Sequence, residues 1–152
     1  MEADAARPGD LMHRFAFAPL IALVLAGVPT HSVQEKHLKV GQQWQFEGRP
    51  ADPDPTLIIV RIEELPTLGE VVHVSVRGVR IRNPRVAGGF SDNLPHMPFS
   101  RAAIERSVTK LVHDSVALPS YEAGYEQWKN AHGGAFTISV REALDFAERA
   151  IQ

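Results

Sequence analysis

The stretch LIIVRIEELPTLGEVVHVSVR, residues 57–77, decides the fold. Its two ends, Leu57–Glu63 and Glu70–Arg77, are runs rich in β-branched residues, and the short segment between them contains Pro66 and Gly69. Such runs favour extended backbone, and a proline followed by a glycine is typical of a turn. The stretch therefore predicts an antiparallel β-hairpin.

Alternation along the hairpin predicts which residues face the core, because every second side chain of a strand lies on the same face. The predicted inward-facing residues are Ile58, Val60, Ile62, Val72, Val74 and Val76. After Gly78 the apolar positions shift by one residue, to Val79 and Ile81. A glycine at such a shift predicts a β-bulge.

The segments around the hairpin predict one more strand and two irregular connections. Apolar residues alternate over Val40–Glu47, which indicates a half-buried strand whose Trp44 faces the core. Gly48–Thr56 holds three prolines, and Asn83–Pro98 combines prolines with two adjacent glycines. Both segments are predicted to be loops.

Three helices are predicted in the second half of the chain. The first spans Ser100–His113 with Ser100 as its N-cap, and the second spans Pro119–Ala131. The third begins at the capping box of Ser139 and Glu142. The predicted fold class is α+β: a small antiparallel sheet of three to four strands with three helices packed on one face.

Composition limits both the size and the partners of the protein. The 152 residues are 44% hydrophobic and 22% charged, which is ordinary for one globular domain. A formal charge of -2 lacks the basic excess of a nucleic-acid binder, so no nucleic-acid partner is predicted. The absence of cysteine excludes disulfides, thiolate metal sites and cysteine nucleophiles.

An apolar run over Phe15–Val28 predicts an export signal, since it is too short to span a membrane. Residues 1–32 would be removed, which leaves a single α+β domain over residues 33–152 in the periplasm or outside the cell, with no membrane association. Acidic residues before Met12 favour Met12 as an alternative start. An uncleaved anchor, or a buried N-terminal helix of a cytoplasmic protein, are the alternatives.

Arginines cluster on the third predicted strand. Arg77, Arg80, Arg82 and Arg85, together with His73, are expected to lie largely on one side of it once the bulge is allowed for. One interpretation is an anion-binding stripe. The other is the solvated face of an antiparallel sheet, with Glu63 and Glu64 of the neighbouring strand neutralising the charge.

Three aromatic residues share one face of the second predicted helix. Tyr121, Tyr125 and Trp128 have the spacing i, i+4 and i+7. They are either a platform for a partner or residues that pack on the sheet while their polar tips find hydrogen-bond partners.

Motifs for catalysis and cofactors are absent from the sequence. The seven histidines lack the short spacings of a local metal site, and a site assembled from His73 and His96 would have to form through the fold. No GxSxG, SxxK, P-loop or dinucleotide motif occurs. We therefore predict no catalytic residue, no metal and no cofactor.

Several short strings resemble a family of small bacterial proteins without a known activity. They are VGQQW at residues 40–44, VVHV at 71–74, PFS at 98–100 and GYEQW at 124–128. The resemblance covers about residues 39–148. It implies a compact stand-alone domain and carries over no functional residues.

These observations favour a small exported protein that acts by binding, without catalysis, with another protein as the expected partner. The alternative is a small periplasmic enzyme or anion-binding protein with a site around His73, Arg80 and His96. A concave polar pocket at these residues would favour the alternative, and a flat aromatic or arginine patch would favour the protein binder.

Overall fold

The structure, a computed structural model, describes residues 36–151. The predicted hairpin is confirmed: strand β2 (Thr56–Leu65) pairs with strand β3 (Gly69–Arg82) in antiparallel register. The turn between them lies at residues 66–68. The predicted export signal lies outside the described residues.

The hairpin is the centre of a five-stranded antiparallel sheet. The other strands are β1 (Gln43–Phe46), β4 (Phe90–Ser100) and β5 (Val108–His113), and the order across the sheet is β4-β3-β2-β1-β5. The helices are α1 (Arg101–Ser107), α2 (Glu122–Asn130) and α3 (Val140–Ile151). The α+β class is therefore confirmed, whereas the predicted three to four strands are too few.

Strand β4 replaces most of the loop that was predicted over residues 83–98. Its prolines, Pro95 and Pro98, are compatible with a strand because β4 is at the edge of the sheet, where one side of the backbone needs no ladder partner. Phe136 covers part of this edge, since its backbone N–H donates to the Pro98 carbonyl and its carbonyl accepts from the Ser100 N–H.

Strand β5 replaces the second half of the first predicted helix. Ser100 is the N-cap as predicted, and its side chain accepts a hydrogen bond from the Ala103 N–H. The helix ends at Ser107 because the backbone of Val108 is already extended. The β-branched residues that follow then pair with β1 at the other edge of the sheet.

Two bulges in the hairpin determine which residues face which side. The predicted shift near Gly78 is confirmed, because the register of β3 against β4 changes between Arg77 and Ile81. A second shift lies between Ile59 and Arg61 and was not predicted. It places Leu57 and Ile59 in the main core cluster and packs Ile62 against it, so the prediction that Ile58 and Val60 share a face with Ile62 is wrong.

The helices lie on both faces of the sheet, in contrast to the prediction that all three pack on one face. Residues from α1 and α3 share a core cluster with Val72, Val74 and Val76 of β3. Helix α2 instead contacts His73, which points to the opposite face because it follows Val72 directly. Within residues 36–151, no helix is long and apolar enough to cross a membrane.

The proline-rich loop before β2 packs against the bulge of β3. Gly78 adopts a φ of +67°, and its carbonyl accepts a hydrogen bond from the Asp54 N–H. A Cβ atom at Gly78 would lie 1.8 Å from the Asp54 carbonyl oxygen. Only glycine fits here, because both the backbone conformation and the space exclude a side chain.

We therefore expect Gly78→Ala to lower the free energy of unfolding by more than about 2 kcal/mol, through left-handed strain plus displacement of the loop. Gly88→Ala is the matched control, since Gly88 has a φ of +82° but no neighbour near its Cβ position. It is expected to cost about 1 kcal/mol. Equal losses in chemical denaturation would contradict a role for the close contact.

Candidate functional site

Strands β2 and β3 bring a carboxylate and an imidazole together on the face that α2 covers. Arg61 pairs with His73 across the hairpin, and Glu63 lies two residues further along the same face. Glu63 Oε1 lies 3.0 Å from His73 Nε2. The unpredicted bulge between Ile59 and Arg61 is what turns Arg61 and Glu63 toward this face.

Strand β4 adds a second imidazole to the pair. His96 Nε2 lies 2.8 Å from His73 Nδ1, and the two rings stack with their centroids 5.0 Å apart. His73 is fully buried and His96 is half-buried. Glu63, His73 and His96 thus form a continuous hydrogen-bonded chain across three strands, which we call the Glu–His–His chain.

The charge state of Glu63 determines which ring nitrogen of each histidine in this chain carries the proton. Burial raises the pKa of Glu63, but hydrogen bonds from Arg61 and Tyr125 and the charge of Arg61 outweigh it, so the pKa is lower than usual. An ionised Glu63 must accept from His73 Nε2–H. His73 Nδ1 then carries the lone pair and accepts from His96 Nε2–H, which leaves the lone pair of His96 on Nδ1.

Both histidines are neutral in this arrangement. Burial lowers the pKa of His73 and outweighs the attraction of Glu63. Burial, together with repulsion from a charged His73, lowers the pKa of His96 to about 4. Neutral rings allow one donor and one acceptor each, which is the state that the chain requires.

Helix α2 closes over the chain with two aromatic side chains. Tyr125 donates its hydroxyl to Glu63 Oε2 at 3.2 Å, and the Tyr125 and Trp128 rings meet His73 edge-on at centroid distances of 5.2 and 4.8 Å. Gly124 allows this approach, because a Cβ there would lie 2.8 Å from the Cβ of His96.

Arg61 joins the carboxylate to the aromatic pair. Its Nη2 donates to Glu63 Oε2 at 3.3 Å, and its guanidinium lies 4.6 Å from the centroid of the Tyr125 ring. Its Nε is buried and has no hydrogen-bond partner within residues 36–151, where it is the one buried side-chain nitrogen or oxygen of that kind.

A cleft of about 320 Å³ opens beside this cluster, between the β2–β3 turn and α2. Glu63 is part of its wall. The lining residues are Arg61, Glu63, Leu65, Pro66, Thr67, Leu68, Tyr125, Trp128, Lys129, His132 and Gly133. The cleft therefore combines aromatic and apolar walls with several nitrogen donors.

The structure brings four of the sequence-predicted site residues together: His73, His96, Tyr125 and Trp128. Tyr121 is at the edge of the group, with its ring 6.4 Å from that of Tyr125. The polar tips of both aromatics find partners, since Trp128 Nε1 donates to the Gly134 carbonyl and the buried Tyr125 donates to Glu63.

The predicted arginine stripe does not reach this cluster. Arg77 lines a separate cleft with Ser75. Arg80 places its guanidinium 3.8 Å from the ring centroid of the exposed Phe90, and the Arg82 N–H donates to Glu148. The contacts of Arg80 and Arg82 lie beyond the Gly78 bulge.

Sequence reasoning missed the roles of Arg61 and Glu63. Glu63 was considered only as a counter-charge for the arginine stripe, whereas it binds His73, Arg61 and Tyr125. The hairpin prediction itself places Glu63 diagonally across from His73, and that pairing was the available signal.

Within residues 36–151, no three His, Asp or Glu side chains are arranged to hold a metal ion. Comparisons of the chain with protein-family models, with curated proteins and with solved structures found no match. The functional interpretation of this site therefore rests on its own geometry.

The Glu–His–His chain predicts a specific cost for losing its carboxylate. Glu63→Ala leaves the buried His73 Nε2–H without an acceptor, which is expected to lower the free energy of unfolding by about 1–3 kcal/mol. Glu64→Ala removes the exposed neighbouring carboxylate and should change it by less than about 0.5 kcal/mol. Similar losses for the two variants in urea unfolding would show that the Glu–His–His chain contributes nothing to stability.

The lowered pKa of His96 predicts how stability depends on pH. Between the ordinary imidazole pKa of 6.5 and the folded-state pKa of about 4, His96 of the unfolded chain binds a proton that His96 of the folded protein does not bind. Stability should therefore fall as the pH is lowered through this window. In His96→Gln, the free energy of unfolding should depend less steeply on pH. The difference in slope should correspond to the uptake of up to about one proton on unfolding. Superposable profiles for both proteins, measured by denaturation from pH 7 to 4, would contradict the assignment.

Proposed function

We propose that this protein acts by binding a small molecule in the cleft between the β2–β3 turn and α2. The observation that supports the proposal is the cleft itself: a concave, partly polar space whose wall includes the Glu63 and Tyr125 side chains that hold His73. Ligand sites generally combine apolar walls with a few convergent polar groups.

Binding, rather than catalysis by the Glu–His–His chain, fits the state of the polar groups around Glu63. Both of its carboxylate oxygens accept hydrogen bonds, and both ring nitrogens of His73 are engaged. A general base needs a free lone pair that reaches the substrate. Among residues 36–151, the ring nitrogen of the Glu–His–His chain without a hydrogen-bond partner is Nδ1 of His96, and His96 does not line this cleft.

The alternative of a protein partner is supported by a different observation. Arg80 stacks on Phe90, and Val86 is also exposed near the end of the β3–β4 hairpin. This is an exposed patch of the kind expected for a protein binder. The arginines beside it face acidic residues of α3, since Asp145 and Glu148 line the same cleft of about 470 Å³ and pair with Arg49. Export to the periplasm remains a prediction from residues 1–32.

The two tryptophans of the chain offer a direct test. Trp128 lines the cleft, whereas Trp44 is buried and donates its indole N–H to Gln42. A set of small anionic, neutral and cationic fragments is added to the ¹⁵N-labelled full chain. We expect at least one fragment to shift the indole N–H resonance of Trp128 and leave that of Trp44 unchanged.

Two threonine variants provide the control. Thr67→Phe should fill the cleft and abolish the response, while Thr137→Phe, at an exposed position outside the cleft, should preserve it. A fragment set that never shifts the Trp128 resonance would overturn the proposal. Shifts confined to resonances near Phe90 would favour the hairpin patch instead.

A further inference from the structure

The nitrogen donors of the cleft outnumber its acids. Arg61, Lys129 and His132 line it together with one carboxylate, Glu63. That carboxylate already accepts three hydrogen bonds, two on Oε2 from Arg61 and Tyr125 and one on Oε1 from His73. Its charge is balanced by the ion pair with Arg61, so the remaining positive charge of Lys129 favours an anion over a cation.

Lys129 is one of these donors. Its ammonium makes no hydrogen bond or ion pair with any residue of 36–151, and its contact there is with the Tyr125 ring, 5.8 Å from the centroid. Arg61 lines the cleft beside Lys129, and its side chain is 42% exposed. The ammonium of Lys129 and the guanidinium of Arg61 are therefore two positive groups that a ligand in the cleft can reach.

The C-terminal carbonyls of α2 do not oppose an anion at this place. A free helix C-terminus carries partial negative charge. Here the N–H groups of Ala131, His132 and Gly133 donate to the carbonyls of Gln127, Lys129 and Trp128. The end of the helix is thus capped by its own backbone, and the Lys129 ammonium lies beside it on the wall of the cleft.

His132 occupies a backbone position that favours glycine. Its φ is +50°, and it is the one non-glycine residue of the described part with a positive φ. Glycine adopts this left-handed conformation without strain, so glycine at position 132 would serve equally well as the residue after the helix. Instead the chain has its glycines directly afterwards, at positions 133 and 134. Strained non-glycine positions persist where the side chain has a use, and this side chain lines the cleft.

The walls of the cleft indicate the rest of the ligand. Tyr125 and Trp128 form one side, and Leu65, Pro66 and Leu68 form the other. An aromatic and aliphatic slot of about 320 Å³ accepts a flat or apolar body of modest size.

We infer that the ligand is a small organic anion, with a carboxylate or phosphate group held by Arg61, Lys129 and His132 and a flat apolar body between the turn and α2. This inference rests on the proposed function, because it names the ligand class of the same cleft. His132 is assigned as a binding residue that the fold itself does not need.

Three probes of nearly equal shape and different charge test the inference: benzoate, benzamide and benzamidine. Titrated against the Trp128 indole resonance, benzoate should bind, benzamide should bind at least about tenfold more weakly, and benzamidine should not bind. Phenyl phosphate binding more tightly than benzoate would also support the inference and would assign the oxyanion as phosphate.

Variants locate the charge recognition. Lys129→Gln should weaken benzoate binding several-fold, while Lys110→Gln, on the exposed strand β5, should leave it unchanged. His132→Gly should weaken binding while the melting temperature of the free protein stays at or above that of the wild type. A structural role for His132 would instead lower the melting temperature.

The outcomes separate this inference from the proposed function. Benzamidine or benzamide binding as well as benzoate would overturn the anion assignment and leave the cleft as a ligand site. Unchanged benzoate affinity in both Lys129→Gln and His132→Gly would do the same. If none of the anions shifts Trp128 while neutral or cationic fragments do, the inference fails and the proposed function stands.

Discussion

The buried imidazole of His73 constrains much of this structure, because both of its ring nitrogens need hydrogen-bond partners. A fully buried polar side chain without partners would cost more than it contributes. Glu63 from β2 and His96 from β4 supply those partners, and Tyr125 and Trp128 of α2 exclude solvent from the ring. One side chain of β3 therefore specifies how both neighbouring strands and the helix above them must be placed.

The bulge between Ile59 and Arg61 makes this arrangement possible. Without it, continuous alternation from Ile59 would put Arg61 and Glu63 on the face that holds the main core, where two charged groups would lie among apolar side chains. The extra residue reverses the faces at the middle of β2. Its first half thus serves the core through Leu57 and Ile59, and its second half presents Arg61 and Glu63 to α2.

The hairpin, the bulge at Gly78, the cap at Ser100 and the capping box at Ser139 were predictable, because each depends on residues close in sequence. Strands β4 and β5 were not. The prolines of β4 are tolerated only because that strand is at an edge, and Val108–His113 becomes a strand only because β1 is there to pair with it. The four clustered site residues were recognised as candidates. Arg61 and Glu63 were missed although the predicted alternation of the hairpin already places them on the same face as His73, because nothing in the sequence shows that α2 covers that face.

The same network that stabilises the fold also limits what chemistry the cleft can perform. Glu63 is the acid of the cleft wall, and its hydrogen bonds to Arg61, Tyr125 and His73 commit both of its oxygens. Such a carboxylate can orient its neighbours, and taking up a proton would break contacts on which the burial of His73 depends. The groups still able to meet a ligand are Lys129, His132 and part of Arg61, at the rim of this network. Stability is thus provided by the interior of the cluster, and recognition is left to side chains that the fold does not require.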